Sequence, residues 1–270
     1  MPDIVIHALV SAAYLALAWH FWNTRWRRRA APERPGLAPW ERAAILLPLA
    51  LHGWLLYDGI FSRELRFGFA QALSVMMFLG VALYWVESLF ASLEGLEPLI
   101  LPLAAVAAPL PALFAGRSIA LQSAEFKLHL ALAMVAYGLF TIALLHAMLM
   151  ALVERHLHRK SAAFVAHLPP LLTLERSLFR MIGVAFVFLT LTLATGMVLT
   201  DALFGRLMRF NHEAVFAVLS WLTFGWLLAG RWRYGWRGRT ALRWTIAGFV
   251  MVLLANVGTA FVVEVILKRA

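Results

Sequence analysis

Eight long apolar runs, parted by short polar breaks, leave this chain little choice of fold. They lie approximately over residues 3–22, 43–60, 67–91, 98–115, 128–153, 180–204, 213–230 and 241–267. A helix of about 20 apolar residues satisfies its own backbone and spans the hydrocarbon of a bilayer. These runs are continuous rather than alternating, which excludes the short two-faced strands of a porin. Composition agrees: 63% of residues are hydrophobic and 14% charged, against roughly 45–50% and about 25% in a soluble domain. The expected fold is an all-α integral membrane bundle of about eight transmembrane helices, with residues 1–270 forming a single transmembrane domain. The first run is preceded only by Met1-Pro2-Asp3 and followed by its basic cluster. That order predicts a retained helix rather than a cleaved leader.

Positive charge predicts the orientation. Arg25, Arg27, Arg28, Arg29, Arg34 and Arg42 fall in the first break, and Arg155, Arg159, Lys160, Arg176 and Arg180 in the fifth. Arg231, Arg233, Arg237, Arg239 and Arg243 fall in the seventh, so 16 of the 24 basic residues share one side. Basic loops stay inside, which puts both termini outside, on the periplasmic face of a bacterial inner membrane. Trp19, Trp22, Trp26 and Trp40 flank the first basic loop, and Trp232, Trp236 and Trp244 the seventh, as interfacial anchors do. The net charge of +10 therefore reads as topology and contact with the lipid bilayer, not as a nucleic-acid surface. The inner loop at about 154–179 is the one sizeable extramembrane stretch. Leu174, Leu178 and Met181 recur there at helical spacing, predicting an amphipathic segment on the inner surface.

No phosphate loop, HExxH pair or serine elbow is present, so nothing predicts an enzyme. With no cysteine there is no thiolate site and no thiol redox chemistry. Ionisable residues at membrane depth are what remain. His52 lies midway along the second run, where an imidazole needs a partner. His129 and His212 open the fifth and seventh helices from the same, outer surface, and facing imidazoles are a common way to hold haem iron. His146 lies 17 residues beyond His129, roughly 25 Å down the helix, so those two cannot share one iron. His7 and His20 sit toward the ends of helix one, while His156, His158 and His167 read as solvated. Asp58, Glu87, Asp201, Glu213 and Glu264 fall near the ends of runs, where interfacial water is the expected partner. Glu213 beside His212 would orient that imidazole only if a turn intervened.

At these residues a resemblance appears. The run from His129 to Gly138 resembles the histidine-led helix of the cytochrome c assembly membrane proteins of the CcsA, CcmC and HemX types. Thr195-Gly196 in helix six and Gly235-Trp236-Arg237-Gly238-Arg239 before the final helix resemble that family's later motifs, and Phe67–Gly80 its third helix. Pro169-Pro170-Leu171 and Glu175-Arg176 are most similar to a small bacterial inner-membrane branch. The resemblance implies haem handling in cytochrome c assembly, with haem b as cofactor; His129 transfers directly as an iron ligand and His52 from the smaller branch, while His212 is a substitute ligand inferred from its position and chemistry. It also implies other cytochrome c maturation proteins as partners, which would supply the thiol chemistry this chain lacks. The chain differs from exporting members in reading Phe210-Asn211-His212-Glu213 where they carry a tryptophan-rich loop ending in Asp-Pro. Ala229 stands where they have a transmembrane histidine, and Val263–Lys268 lacks their last outer histidine. That difference leaves a second expectation open: an accessory subunit of a membrane transporter or cation-efflux system that keeps the fold without haem. A transporter in its own right would need broken, inverted repeats, and none is visible.

Overall fold

The computed structural model describes residues 2–27, 36–61, 65–91, 94–118, 123–158, 168–204 and 212–266. Arg28, Arg29 and Arg34 of the first basic loop, Arg159, Lys160 and His167 of the fifth, and the side chains of His158 and Asp201 lie outside the described residues.

Helix α1 spans Pro2–Phe21 and continues through a wider, π-type turn at Trp22–Trp26. Helix α2 spans Pro39–Phe61 and α3 Phe69–Glu87. The fourth apolar run is two pieces, α4 (Glu97–Ala107) and α5 (Leu110–Leu113). Pro109 between them has no N–H to give the helix and divides the run there. Then come α6 (Ala124–His158), α7 (Leu171–Phe204) and α8 (His212–Tyr234). The last run is a composite rod. Helix α9 (Gly238–Leu253) passes into a π-type turn at Leu254–Gly258, a single turn α10 (Thr259–Phe261) and a second π-type stretch, Val262–Ile266. Strands β1 (Arg66–Phe67) and β2 (Arg117–Ser118) pair antiparallel, Arg66 opposite Ser118 and Phe67 opposite Arg117.

The protein is thus a helical membrane bundle. Among the described residues six helices are long and apolar enough to cross a bilayer: Ile4–Trp26, Pro39–Ile60, Phe69–Glu87, Ala124–Leu157, Leu171–Thr200 and His212–Tyr234. Helix α7 begins nine residues before the expected start at 180, immediately after Pro169-Pro170. The anticipated amphipathic stretch is its first turns, and Leu174 and Leu178 turn wholly into the core.

Packing is tight where small residues let helices meet. A Cβ on Gly138 of α6 would fall 2.7 Å from Leu79 Cβ of α3, so glycine sets that approach. Phe140 of α6 and Phe224 of α8 stack at 3.9 Å, with their rings 15° from parallel.

The bundle has two distinct ends. At one, the turns rich in arginine meet: Trp85 donates to the Arg42 carbonyl at 3.1 Å, Arg42 to the Ser88 carbonyl at 3.2 Å, and Arg231 pairs with Glu175. At the other, β1 and β2 join the turns after α2 and α5. Gln71 donates there to the Phe114 carbonyl at 3.0 Å, and Phe69 meets Phe261 of α10 edge-on.

Candidate functional site

His129 stands in the second turn of α6, at the strand-bearing end, half-buried. Its Nδ1 lies 3.0 Å from Thr195 Oγ1 of α7. The threonine hydroxyl spends its proton on the Leu191 carbonyl, 2.9 Å away, or on that of Thr192 at 3.1 Å. It therefore accepts from His129, which places the ring proton on Nδ1 and leaves the Nε2 lone pair open. Gly196 gives the ring its room, since a Cβ there would come within 3.2 Å of His129 Cε1. Threonine and glycine in succession on α7 thus fix both the orientation and the tautomer of the imidazole. A metal-binding histidine is held in this manner.

His212, at the first position of α8, is exposed, and so is Glu213 beside it. No hydrogen bond or ring contact joins His129, His212 and His52 to one another among the described residues.

His52 is wholly buried, and its contacts are with α1 and α3. Nε2 lies 2.9 Å from Ser74 Oγ and Nδ1 3.4 Å from the Tyr14 hydroxyl. Tyr14 and Phe78 pack edge-on against the ring at 5.8 and 5.7 Å. A neutral imidazole has one donor and one acceptor, and here both face hydroxyl groups. Ligation of iron by His52 would require one of those bonds to break.

The acidic residues divide. Asp58 is exposed, as its position predicts. Glu264 lies against Gly68, which has no side chain to obstruct it. Glu87 departs from the expectation of interfacial water: it is buried, because the neighbouring helices supply partners. Its Oε1 receives Arg180 at 3.2 Å, and its Oε2 lies 3.3 Å from His146 Nε2. His146, wholly buried, donates from Nδ1 to the Ile142 carbonyl at 2.8 Å.

Two further buried groups escaped the sequence reading. Arg25, counted there only as a topology charge, turns inward from the π-type turn and binds Glu41 Oε2 at 2.8 Å. Glu41 also receives the Ala38 N–H at 2.8 Å and lies 3.0 Å from His20 Nε2. Glu97, wholly buried, accepts from the Tyr84 hydroxyl at 2.6 Å and from the Gly95 N–H at 2.7 Å. An acidic residue in the first turn of a helix was the available signal for both, since the free N–H groups there favour it. His7, expected at the interface, is buried and donates to the Ala108 carbonyl at 2.7 Å.

Among the described residues no three His, Cys, Asp or Glu side chains converge as a metal cluster. Haem iron takes its axial ligands one at a time from either face. His129 fits that requirement through its open Nε2, and His212 through its exposure.

The chain is 35% identical over 138 residues to the inner membrane protein YpjD of Escherichia coli, covering 51% of this chain and 52% of that one. It is 26% identical over 148 residues to the cytochrome c biogenesis protein CcsA of Chlamydomonas reinhardtii, covering 54% and 40%. A CcsA of Heterosigma akashiwo is 31% identical over 91 residues, covering 34% and 28%. The chain matches about half the length of YpjD and less of each CcsA. No solved structure matches. The family described as cytochrome C assembly protein matches residues 40–267, and this chain belongs to it.

Proposed function

We propose that this protein holds haem b within the membrane during cytochrome c assembly, without catalysing a reaction. His129 and His212 are the residues that would hold its iron through their imidazole nitrogens. The observation that carries this reading is the tautomer of His129. Thr195 takes its Nδ1 proton, and the Nε2 lone pair stays open at the end of the bundle where His212 also begins its helix. When bound, the haem would supply an iron centre with axial positions for imidazole. The protein's own part is to orient one ring, shelter it between α6 and α7, and leave the second ring accessible. His52 is a third candidate ligand, at the cost of a hydrogen bond to Ser74 or Tyr14. Reduction of apocytochrome thiols falls to other maturation proteins, because this chain has no cysteine.

The single transmembrane domain is proposed to cross a bacterial inner membrane eight times, with both termini outside. Supporting this, β1 and β2 bring the turns after α2 and α5 to one end, while Glu97, which opens α4, contacts Tyr84 near the other. Phe261 meets Phe69 at the strand-bearing end, although α9 starts beside the arginine-rich turns. The α4–α5 pair and the composite rod therefore supply the two further crossings.

One observation favours a second reading, an accessory subunit of a transporter or efflux system. The mid-membrane histidine, His52, is fully satisfied by protein hydroxyls and needs no ligand. Absorption spectroscopy separates the two. Protein purified after expression with haem supplied should carry a Soret band that His129→Ala abolishes. A colourless wild-type protein would overturn haem holding and leave the accessory role.

A further inference from the structure

We propose that the turn joining α8 to α9, with the helix faces above it, forms a binding site for one anionic phospholipid, whose phosphate sits between Arg233 and Arg237.

The turn is Gly235-Trp236-Arg237-Gly238, with Gly235 at φ +65° and Gly238 at φ +52°. Both glycines adopt the left-handed backbone that side chains resist, so the turn folds Trp236 back over Gly230 of α8. A Cβ on Gly230 would overlap the indole. Trp236 then stacks on Trp244 of α9, with 6.1 Å between ring centroids and planes 4° apart, and meets Trp226 of α8 edge-on at 5.8 Å. Tyr234 lies roughly parallel to it at 6.2 Å. An aromatic wall thus bridges the two helices.

On α8, Leu222, Trp226 and Arg233 fall on one stripe by helical spacing. Leu222 is 52% and Trp226 53% exposed, so none of the described elements covers this face. Arg233 stands at its water end, its guanidinium 5.9 Å over the Tyr234 ring, and the turn that follows α8 carries Arg237, 61% exposed. Neighbouring cations are already committed. Arg231 pairs with Glu175 at 2.5 Å, and Arg239 lies 3.5 Å from Glu154. Arg237 shares Glu175 at 3.3 Å with Arg231, so two guanidiniums answer one carboxylate, and no carboxylate among the described residues pairs with Arg233. Unneutralised positive charge is therefore left at the headgroup level, above an uncovered aromatic and aliphatic strip.

One molecule answers both halves of this surface. An acyl chain lies along Leu222 and Trp226 while a phosphodiester takes the guanidiniums, which bind it in bidentate fashion. A soluble anion would use the arginines and leave the strip bare. A neutral lipid would use the strip and leave the charge unanswered.

The test uses the full chain, purified in detergent and exchanged into bilayer discs of phosphatidylcholine mixed with phosphatidylglycerol. Mass spectrometry of the intact protein then counts the lipids retained. Wild type should retain phosphatidylglycerol in preference to phosphatidylcholine. Arg233→Gln with Arg237→Gln should reduce that preference by about fivefold per arginine. The control, Arg27→Gln with Arg155→Gln, removes the same charge from exposed positions at the same end of the bundle and should leave the preference within twofold. Trp226→Ala, which shortens the strip without changing charge, should lower retention of both lipids. Equal losses in the two double variants would overturn the proposal in favour of diffuse surface charge. So would a wild type that shows no preference.

Discussion

The two ends of this bundle treat buried polar groups in opposite ways. Where the arginine-rich turns gather, two buried carboxylates meet guanidiniums: Glu41 with Arg25, and Glu87 with Arg180. At the strand-bearing end half-buried His129 turns its Nδ1 to the Thr195 hydroxyl, and His212 is exposed. Taking a charge out of water costs several kcal/mol unless partners replace the water. Matched groups therefore hold helices together, and groups with unused bonding capacity mark where something else can bind. The contrast sets an end whose buried carboxylates are paired against the end where the haem site is proposed.

The harshest way to break that contrast is to strand a charge that cannot be neutralised. Glu41→Ala leaves the Arg25 guanidinium 7% exposed without its carboxylate, and arginine does not shed its proton. The Ala38 N–H loses its acceptor in the same change. A destabilisation of about 3–5 kcal/mol is expected, read as a lowered unfolding temperature of the purified protein in detergent. A loss under about 1 kcal/mol would mean water reaches Arg25 and that this end is not dry.

Glu87→Ala should do less damage, although Glu87 is equally buried. Of its partners, Arg180 is already 56% exposed and can turn to water. His146 keeps its Nδ1 bond to the Ile142 carbonyl. What remains is a lost set of charge-assisted hydrogen bonds, about 2 kcal/mol. Combining this change with His146→Ala should give less than the sum of the two single losses, because the groups form one network. Strict additivity would show that the 3.3 Å contact contributes nothing.

At the other end the expected effect is on ligand rather than fold. Thr195→Val removes the hydroxyl that fixes the His129 tautomer and leaves the shape of α7 nearly intact. Haem affinity should fall at least tenfold, while the unfolding temperature of haem-free protein stays close to wild type. Thr195→Ser keeps the hydroxyl and should restore binding. If valine binds haem as well as threonine does, Thr195 is packing alone.

How far these two ends were legible in the sequence follows from the same physics. Membrane-spanning helices announce themselves because an apolar run of sufficient length has no other stable fate in a bilayer. The depth of His52 and the leading position of His129 were visible for that reason. The start of α7 was not, because Glu175 and Arg176 resemble loop residues until Arg231 and Arg237 are known to neutralise Glu175. Glu87 looked interfacial because it ends an apolar run. Only the approach of α6 and α7 supplies His146 and Arg180. Arg25 was hidden by a backbone detail, the π-type turn that points it inward. Periodicity along one helix is local information, whereas the pairing of buried charges depends on which helices become neighbours.

The gentlest test concerns His52, which lies between the two ends and belongs clearly to neither. Its ring is satisfied like the carboxylates of the matched end, yet the resemblance implies an iron ligand, the role proposed for the histidines of the other. Ser74→Ala removes the 2.9 Å partner of Nε2 and leaves Tyr14 on Nδ1. If His52 is a structural residue, stability falls by about 1 kcal/mol and the Soret band keeps its position and intensity. If His52 binds iron, freeing Nε2 removes a competitor, and the haem content of the purified protein should rise or its spectrum shift. Either result assigns His52, because the serine hydroxyl is small enough that its loss leaves the packing of Phe78 and Tyr14 around the ring in place.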